Sequence, residues 1–136
     1  MGLAQKRIAL EFQNTEFAAW KKQFEGVVGF EIPMEIKWDT MQSDDRSNKD
    51  DYFKWYQMVY FTPLLDVFKG LCADDLGKEA VKSTVKKIVI DGTNGGSPSA
   101  STFEGGVFQI NHKYCTNVGD GDDRTKVWTH LIESKL

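Results

Sequence analysis

The sequence predicts an α+β fold: a single domain over residues 1–136, in which a long kinked helix and further helices pack on a four-stranded, mainly antiparallel sheet. Three observations lead to this prediction. Several short stretches alternate between apolar and polar residues, which is typical of strands. One long aromatic stretch repeats its apolar residues every three or four positions, which is typical of a helix. The predicted helices are grouped along the chain, whereas an all-parallel sheet would have one after each strand.

The segment 7–13 is predicted to be the first strand. Its large apolar residues occupy every second position and would share one face of a strand; they are Ile8, Leu10 and Phe12. Asn14 or Thr15 can cap the helix predicted next, which stops near Gly26.

The clearest alternation in the chain runs from Phe30 to Trp38 and predicts the second strand. Pro33 has no backbone N–H, so its nitrogen should face an edge, a bulge or solvent. The polar face of this strand carries three carboxylates, Glu31, Glu35 and Asp39. Paired carboxylates can perform acid–base catalysis, but any half-solvated strand shows the same alternation.

The predicted core is organised around the aromatic stretch 51–72, which follows a polar loop at 42–51. Its apolar residues fall on one helical face; they are Phe53, Tyr56, Tyr60, Leu64, Val67 and Leu71. Pro63 should either kink this helix or restart it with Thr62 as the cap.

The first half of this helix, 52–61, carries more apolar surface than one stripe can bury. Either it lies between the sheet and another helix, or its second side is an exposed patch that binds a partner. The candidate binding residues are Tyr52, Trp55 and Tyr56 on the helix, together with His112 on a later strand.

The next segment predicts a helix capped by Asp74 or Asp75. Its inward face should carry Leu76, Ala80, Val81 and Val85. The β-branched segment 87–91 predicts a strand, and the turn-forming segment 92–101 predicts a loop.

Alternation over 108–114 predicts a strand that pairs with 87–91 in a wide hairpin. Asp122 or Asp123 should cap the final helix. The apolar side of that helix should carry Val127, Trp128, Leu131, Ile132 and Leu136.

No catalytic or cofactor motif stands out, so we predict no cofactor, no metal site and no catalytic residue. The glycine-rich loop 92–101 matches neither common phosphate-binding pattern. The aspartates at 120, 122 and 123 offer oxygen ligands for calcium, but they lack the EF-hand spacing and helix capping explains them. His112 and Cys115 would point to opposite faces of one strand, which disfavours a nucleophilic pair.

Charge and cysteine content limit the partners and the location. The net charge of −3 comes from 17 basic and 20 acidic residues spread along the chain, so nucleic acid is not an expected partner. No apolar stretch is long enough to predict a membrane span. Cys72 and Cys115 form neither a C-x-x-C pair nor a disulfide framework, which favours the cytoplasm.

These observations favour a non-enzymatic interaction module that binds a protein partner, a second copy of itself or an apolar small molecule through the aromatic helix. The alternative is a small enzyme or ligand-binding protein. Its pocket would lie between the long helix and the sheet and would use His112 or a carboxylate of the second strand.

Overall fold

The computed structural model describes residues 2–42, 47–93 and 100–136, which form an α+β arrangement around a four-stranded sheet. The α-helices are α1 (Leu3–Phe12), α2 (Ala18–Val28), α3 (Lys49–Tyr56), α4 (Thr62–Leu71), α5 (Asp75–Thr84) and α6 (Gly121–Glu133). The first π segment (Gln13–Phe17) joins α1 to α2, the second π segment (Gln57–Phe61) joins α3 to α4, and a 3₁₀-helix spans Trp38–Met41. The strands are β1 (Met34–Ile36), β2 (Lys87–Asp91), β3 (Thr102–Glu104) and β4 (Val107–Asn111).

The sheet has the order β1-β2-β4-β3 and is mixed, so the prediction of a mainly antiparallel sheet was wrong. β1 and β4 both pair with β2 in parallel, and only β3 runs antiparallel to its neighbour β4. The predicted wide hairpin between 87–91 and 108–114 is therefore absent. After β2 the chain first forms the edge strand β3. It then turns back through Gly105 and Gly106, whose φ angles of 58° and 80° suit a two-residue hairpin.

The predicted strand at 7–13 is a helix, α1. Ala9 and Phe12 are buried, whereas Leu10 is 55% exposed, so the buried positions follow the helical spacing. Asn14 and Thr15 cap nothing, because they lie in the first π segment and the chain continues into α2. Gly29 ends α2 in the left-handed region, at φ 85°.

The predicted strand at 30–38 is much shorter, since only Met34–Ile36 pairs with β2. Trp38 already begins the 3₁₀-helix. Pro33 stands just before β1 at the edge of the sheet, where its carbonyl oxygen accepts a 3.0 Å hydrogen bond from the N–H of Ile88.

The aromatic stretch does not form the predicted long kinked helix and instead contains α3, the second π segment and α4. Asn48 starts α3 with a capping box, accepting a 3.0 Å hydrogen bond from the N–H of Asp51. The π segment ends beside Pro63, with the N–H of Thr62 bonded to the carbonyl of Gln57, five residues back. A wider turn suits this position because Pro63 has no N–H for the regular helical pattern.

The second side of the aromatic stretch is covered by α1 and α2, so the sandwiched arrangement is the one observed. Phe24 of α2 meets Phe68 of α4 with ring centroids 5.0 Å apart. On the sheet side, α6 packs Trp128 against Phe108 of β4. Leu76 is 81% exposed, so its predicted inward orientation was wrong, while Val81 and Val85 are buried as predicted.

The predicted loops are only partly described. Positions 43–46 of the polar loop and 94–99 of the glycine-rich loop lie outside the described residues.

Candidate functional site

The sequence-predicted binding residues do not form one surface. Tyr52 and Tyr56 are fully buried. The Tyr52 ring stacks on Tyr114 at 5.7 Å, and half-buried Trp55 packs beside both rings. The hydroxyl of Tyr56 turns away from this group and donates a 2.9 Å hydrogen bond to the carbonyl of Met41. Burial raises the pKa of Tyr56 far above its ordinary value, which keeps this donor protonated.

His112 is also fully buried, directly after β4. Its Nδ1 lies 2.9 Å from the carbonyl oxygen of Lys113. Its own carbonyl accepts a hydrogen bond from the hydroxyl of Tyr60. The contact with Tyr60 joins the residue after β4 to the second π segment.

Two carboxylates of the observed strands, Glu35 of β1 and Asp91 of β2, are engaged with lysines. Glu35 lies 3.5 Å from Nζ of Lys87, and Asp91 lies 3.6 Å from Nζ of Lys37. Although burial opposes it, hydrogen bonds from Thr93 and the charge of Lys37 hold the pKa of Asp91 below its ordinary value. Within the described residues, no cluster of three or more His, Cys, Asp or Glu side chains could hold a metal ion.

The centre of the helical layer is a cluster of aromatic rings around Phe61, the last residue of the second π segment. Four rings from the preceding part of the chain contact it; they belong to Phe12, Phe17, Trp20 and Trp38. Trp20 also donates a 2.8 Å hydrogen bond from its indole nitrogen to the carbonyl of Phe61. Trp38 is only half-buried, so the cluster reaches the surface at this residue.

At that point the structure has a concave surface, which we call the α1 groove. It lies between α1 and the 3₁₀-helix, has a volume of about 340 Å³, and its walls are almost wholly nonpolar atoms. Its lining residues are Lys6, Ala9, Leu10, Gln13, Trp38, Asp39 and Gln42. Gln42 fixes its width by donating a 2.7 Å hydrogen bond to the carbonyl of Gln5 on α1.

Two exposed leucines stand on α1 beside this groove. Leu3 is 61% and Leu10 is 55% exposed, and residues seven apart lie on the same side of a helix. Sequence reasoning missed both, because it placed 7–13 in a strand with Leu10 facing the core. The helical spacing of Ile8 and Phe12 was the signal that could have revealed them.

Two other concave regions lie elsewhere on the helices. One of about 600 Å³ lies where α4, α5 and α6 meet, and exposed Leu76 forms part of its wall. The other, of about 220 Å³, lies between the second π segment and the start of α6.

Fully buried Arg124 lies near the smaller cleft. Its guanidinium donates to three backbone carbonyls, those of Asn117 at 2.6 Å, Met58 at 3.0 Å and Val118 at 3.2 Å. Burial lowers the pKa of Arg124, and the nearby charge of Asp120 opposes this shift. The sequence analysis did not single out this residue, although it stands four and eight positions before buried Trp128 and Ile132.

Comparisons with models of protein families, with curated proteins and with solved structures gave no match, so function has to be inferred from this geometry. Among the described residues, no helix has the length and apolar character needed to cross a membrane.

Proposed function

We propose that this protein is a non-enzymatic interaction module that accepts an apolar side chain of a protein partner in the α1 groove. One observation carries the proposal. A nonpolar groove backed by Trp38 lies beside two leucines that are more than half exposed, on a chain whose other large apolar side chains are mostly buried. Exposed apolar surface around a concavity is the usual mark of a binding site.

The size and lining of the groove favour a side chain over a cofactor. Its volume of about 340 Å³ is near the lower end of the roughly 300–1,000 Å³ typical of ligand sites. Polar groups stand only at its rim, where Lys6, Asp39 and the two glutamines can orient a partner. An aliphatic or aromatic side chain anchored in such a pocket commonly dominates the binding energy of a protein interface.

The proposed site remains connected to the aromatic helix on which the sequence-based hypothesis placed binding. Trp38 contacts the ring of Tyr56 at 5.9 Å, so buried Tyr56 supports the groove wall from behind. Tyr52 and His112 are fully buried and line none of the three concave regions described above. Half-buried Trp55 could contact a partner only at a separate place, beside Tyr114.

The alternative function, a small enzyme or ligand-binding protein, requires His112 or strand carboxylates to converge on a pocket. Of these residues only Asp39 lines one of the three concave regions described above, the α1 groove, and no histidine or second carboxylate lines that groove with it. Glu35 and Asp91 are paired with lysines, and His112 is buried. These contacts support the binding module.

Composition supports a cytoplasmic location and a protein partner. Both cysteines are free thiols, which fits a reducing compartment. The net charge of −3 does not favour a phosphate backbone as ligand.

The test uses the uncharged fluorescent apolar probe Nile red at about 1 μM protein, where a self-association with a dissociation constant of roughly tens of micromolar leaves the chain almost wholly monomeric. We expect Leu10→Lys to weaken probe binding by about tenfold or more, because it puts a charge in the groove wall. Val127→Lys is the matched control. Val127 is also partly exposed on a helix, but it lines none of the three concave regions described above.

Two results would contradict the proposal. In one, the Leu10→Lys and Val127→Lys variants bind the probe as the unmodified protein does. In the other, Leu76→Lys abolishes probe binding, which would move the apolar site to the cleft between α4, α5 and α6.

A further inference from the structure

We infer that the occupant of the α1 groove is a second copy of this chain, so that the protein forms a two-fold symmetric dimer in which Leu10 of each copy enters the groove of the other. This inference rests on the proposed function and names its partner. It is drawn from the self-complementary character of the surface around α1.

The first argument is steric. A two-fold interface uses the same patch on both copies, so that patch must contain both a cavity and a group that fits it. The surface around α1 contains both. The groove has Ala9 and Trp38 in its walls, and Leu10 is exposed at its border. Leu3 adds a second exposed leucine on the same side of the helix, which the pairing would remove from water.

The second argument is charge. Lys6 and Asp39 both line the groove, and neither forms an ion pair with another residue in the described part of the chain. A partner that is acidic or basic throughout would match only one of these two charges. A second copy presents both, so Lys6 of each copy can meet Asp39 of the other, and opposite charges across an interface fix its register.

The third argument concerns strength. The patch comprises one face of a ten-residue helix and part of the 3₁₀-helix, which is small compared with the roughly 800 Å² that each partner buries in a stable complex. The dimer is therefore expected to be weak and to depend on protein concentration.

The first experiment is sedimentation equilibrium of the full chain from about 1 to 300 μM, a range that brackets micromolar association. The weight-average mass should rise from 15.4 kDa toward twice that value. Leu10→Lys should raise the dimer dissociation constant by about tenfold or more, because it places a charge in an apolar pocket. Leu76→Lys is the control and should leave the dissociation constant unchanged, since exposed Leu76 lies on α5 and outside the groove.

The second experiment exchanges the charges. Lys6→Asp gives a copy with two acidic groups at the groove, and Asp39→Lys gives a copy with two basic groups. Each variant alone should dimerise several-fold more weakly than the unmodified chain, because like charges face each other. An equimolar mixture should recover the dimer, because both contacts across the two-fold axis are then between opposite charges.

The outcomes separate the inference from the proposed function. A chain that stays monomeric over the whole range, yet binds Nile red in a Leu10-dependent manner, overturns the dimer and leaves the groove as a site for another protein. A dimer that survives Leu10→Lys uses a different face, which also overturns the inference. If the mixture of the two charge variants associates no better than either variant alone, the proposed pairing of Lys6 with Asp39 is wrong.

Discussion

At the scale of single residues, Arg124 resolves a problem that Pro63 creates. The Met58 carbonyl would bond to the N–H of Thr62 in a regular α-helix, but that N–H is used by the carbonyl of Gln57. In the π pattern the Met58 carbonyl would bond instead to the N–H of residue 63, five positions on. That residue is proline and has no N–H. The guanidinium of Arg124 supplies the missing donor at 3.0 Å. Its side chain thereby joins α6 to the second π segment.

We predict that Arg124→Met lowers the free energy of unfolding by about 3 kcal/mol, since it removes three hydrogen bonds to backbone carbonyls, at roughly 1 kcal/mol each. Urea unfolding at pH 7 measures the change. Lys126→Met, at an exposed position of the same helix, is the control and should alter stability by less than about 0.5 kcal/mol. Equal effects of the two substitutions would mean that the Arg124 hydrogen bonds add nothing to stability.

Arg124 could have been identified from the sequence, because it is a charged residue on the apolar stripe of the last helix. The burial of Tyr52 and Tyr56 was harder to foresee. Their density on one helix is equally compatible with a buried or an exposed surface, and the choice depends on whether another element covers them. That element is α1 with α2, and the strand prediction at 7–13 removed α1 from consideration.

At the scale of elements, the second π segment and Pro63 should be energetically coupled to Arg124. Pro63→Ala restores a backbone N–H at the position where the π pattern would bond to the carbonyl of Met58. We therefore predict that Arg124→Met is less destabilising, by about 1 kcal/mol, when Pro63→Ala is also present. A double-mutant cycle of urea unfolding free energies measures this coupling. Additive effects of the two substitutions would contradict it.

The contact between α4 and α5 gives a matched pair of glycine substitutions. A Cβ at Gly77 would lie only 1.9 Å from the carbonyl oxygen of Leu71, whereas a Cβ at Gly70 would meet no atom within 4 Å. Gly77→Ala should destabilise the protein by about 2 kcal/mol or more, because α5 must move away from the end of α4. Gly70→Ala should stabilise it by about 0.5–1 kcal/mol, since alanine favours a helix interior.

Thermal unfolding of the two glycine variants checks this contrast directly. The prediction fails if both variants shift the melting temperature in the same direction.

The elements predicted correctly are those whose local pattern has a single explanation. Lys87–Asp91 contains three consecutive β-branched apolar residues, Ile88, Val89 and Ile90, and Asp74 caps α5 by accepting a 2.8 Å hydrogen bond from the N–H of Gly77. The failures have two causes. In 7–13, a period of two was read from three residues, although Ile8 and Phe12 also have the spacing of one helical face. In the sheet, 87–91 and 108–114 were assumed to be consecutive strands of one hairpin. In the structure β3 lies between them in the sequence and forms the edge of the sheet on the far side of β4.

At the scale of the whole molecule, two buried tyrosines connect the helical layer to the rest of the fold. Tyr56 donates to the carbonyl of Met41 in the 3₁₀-helix, and Tyr60 donates to the carbonyl of His112 after β4. A phenolate could not donate to either carbonyl. Burial raises the pKa of both Tyr56 and Tyr60 above the ordinary value, which keeps the two hydroxyls protonated.

This arrangement predicts that stability falls at alkaline pH. Because the folded-state pKa values of Tyr56 and Tyr60 are raised, their contribution is fully present below the unfolded value of 10.0 and is lost as the pH rises above it. Tyr60→Phe should lower stability by about 1 kcal/mol at pH 7 and make the alkaline decline less steep. Urea midpoints between pH 7 and pH 11 measure both effects, and an unchanged alkaline slope in the Tyr60→Phe variant would contradict the prediction.

The two edges of the sheet limit how copies of this protein can aggregate. β1 and β3 are each only three residues long, and Pro33 directly precedes β1. A strand from another molecule could form only a few backbone hydrogen bonds at either edge, which is a poor template for cross-β fibrils. Pairing between the edge strands of two molecules is therefore limited to very few residues. Crowded solutions of the folded protein should consequently stay free of amyloid.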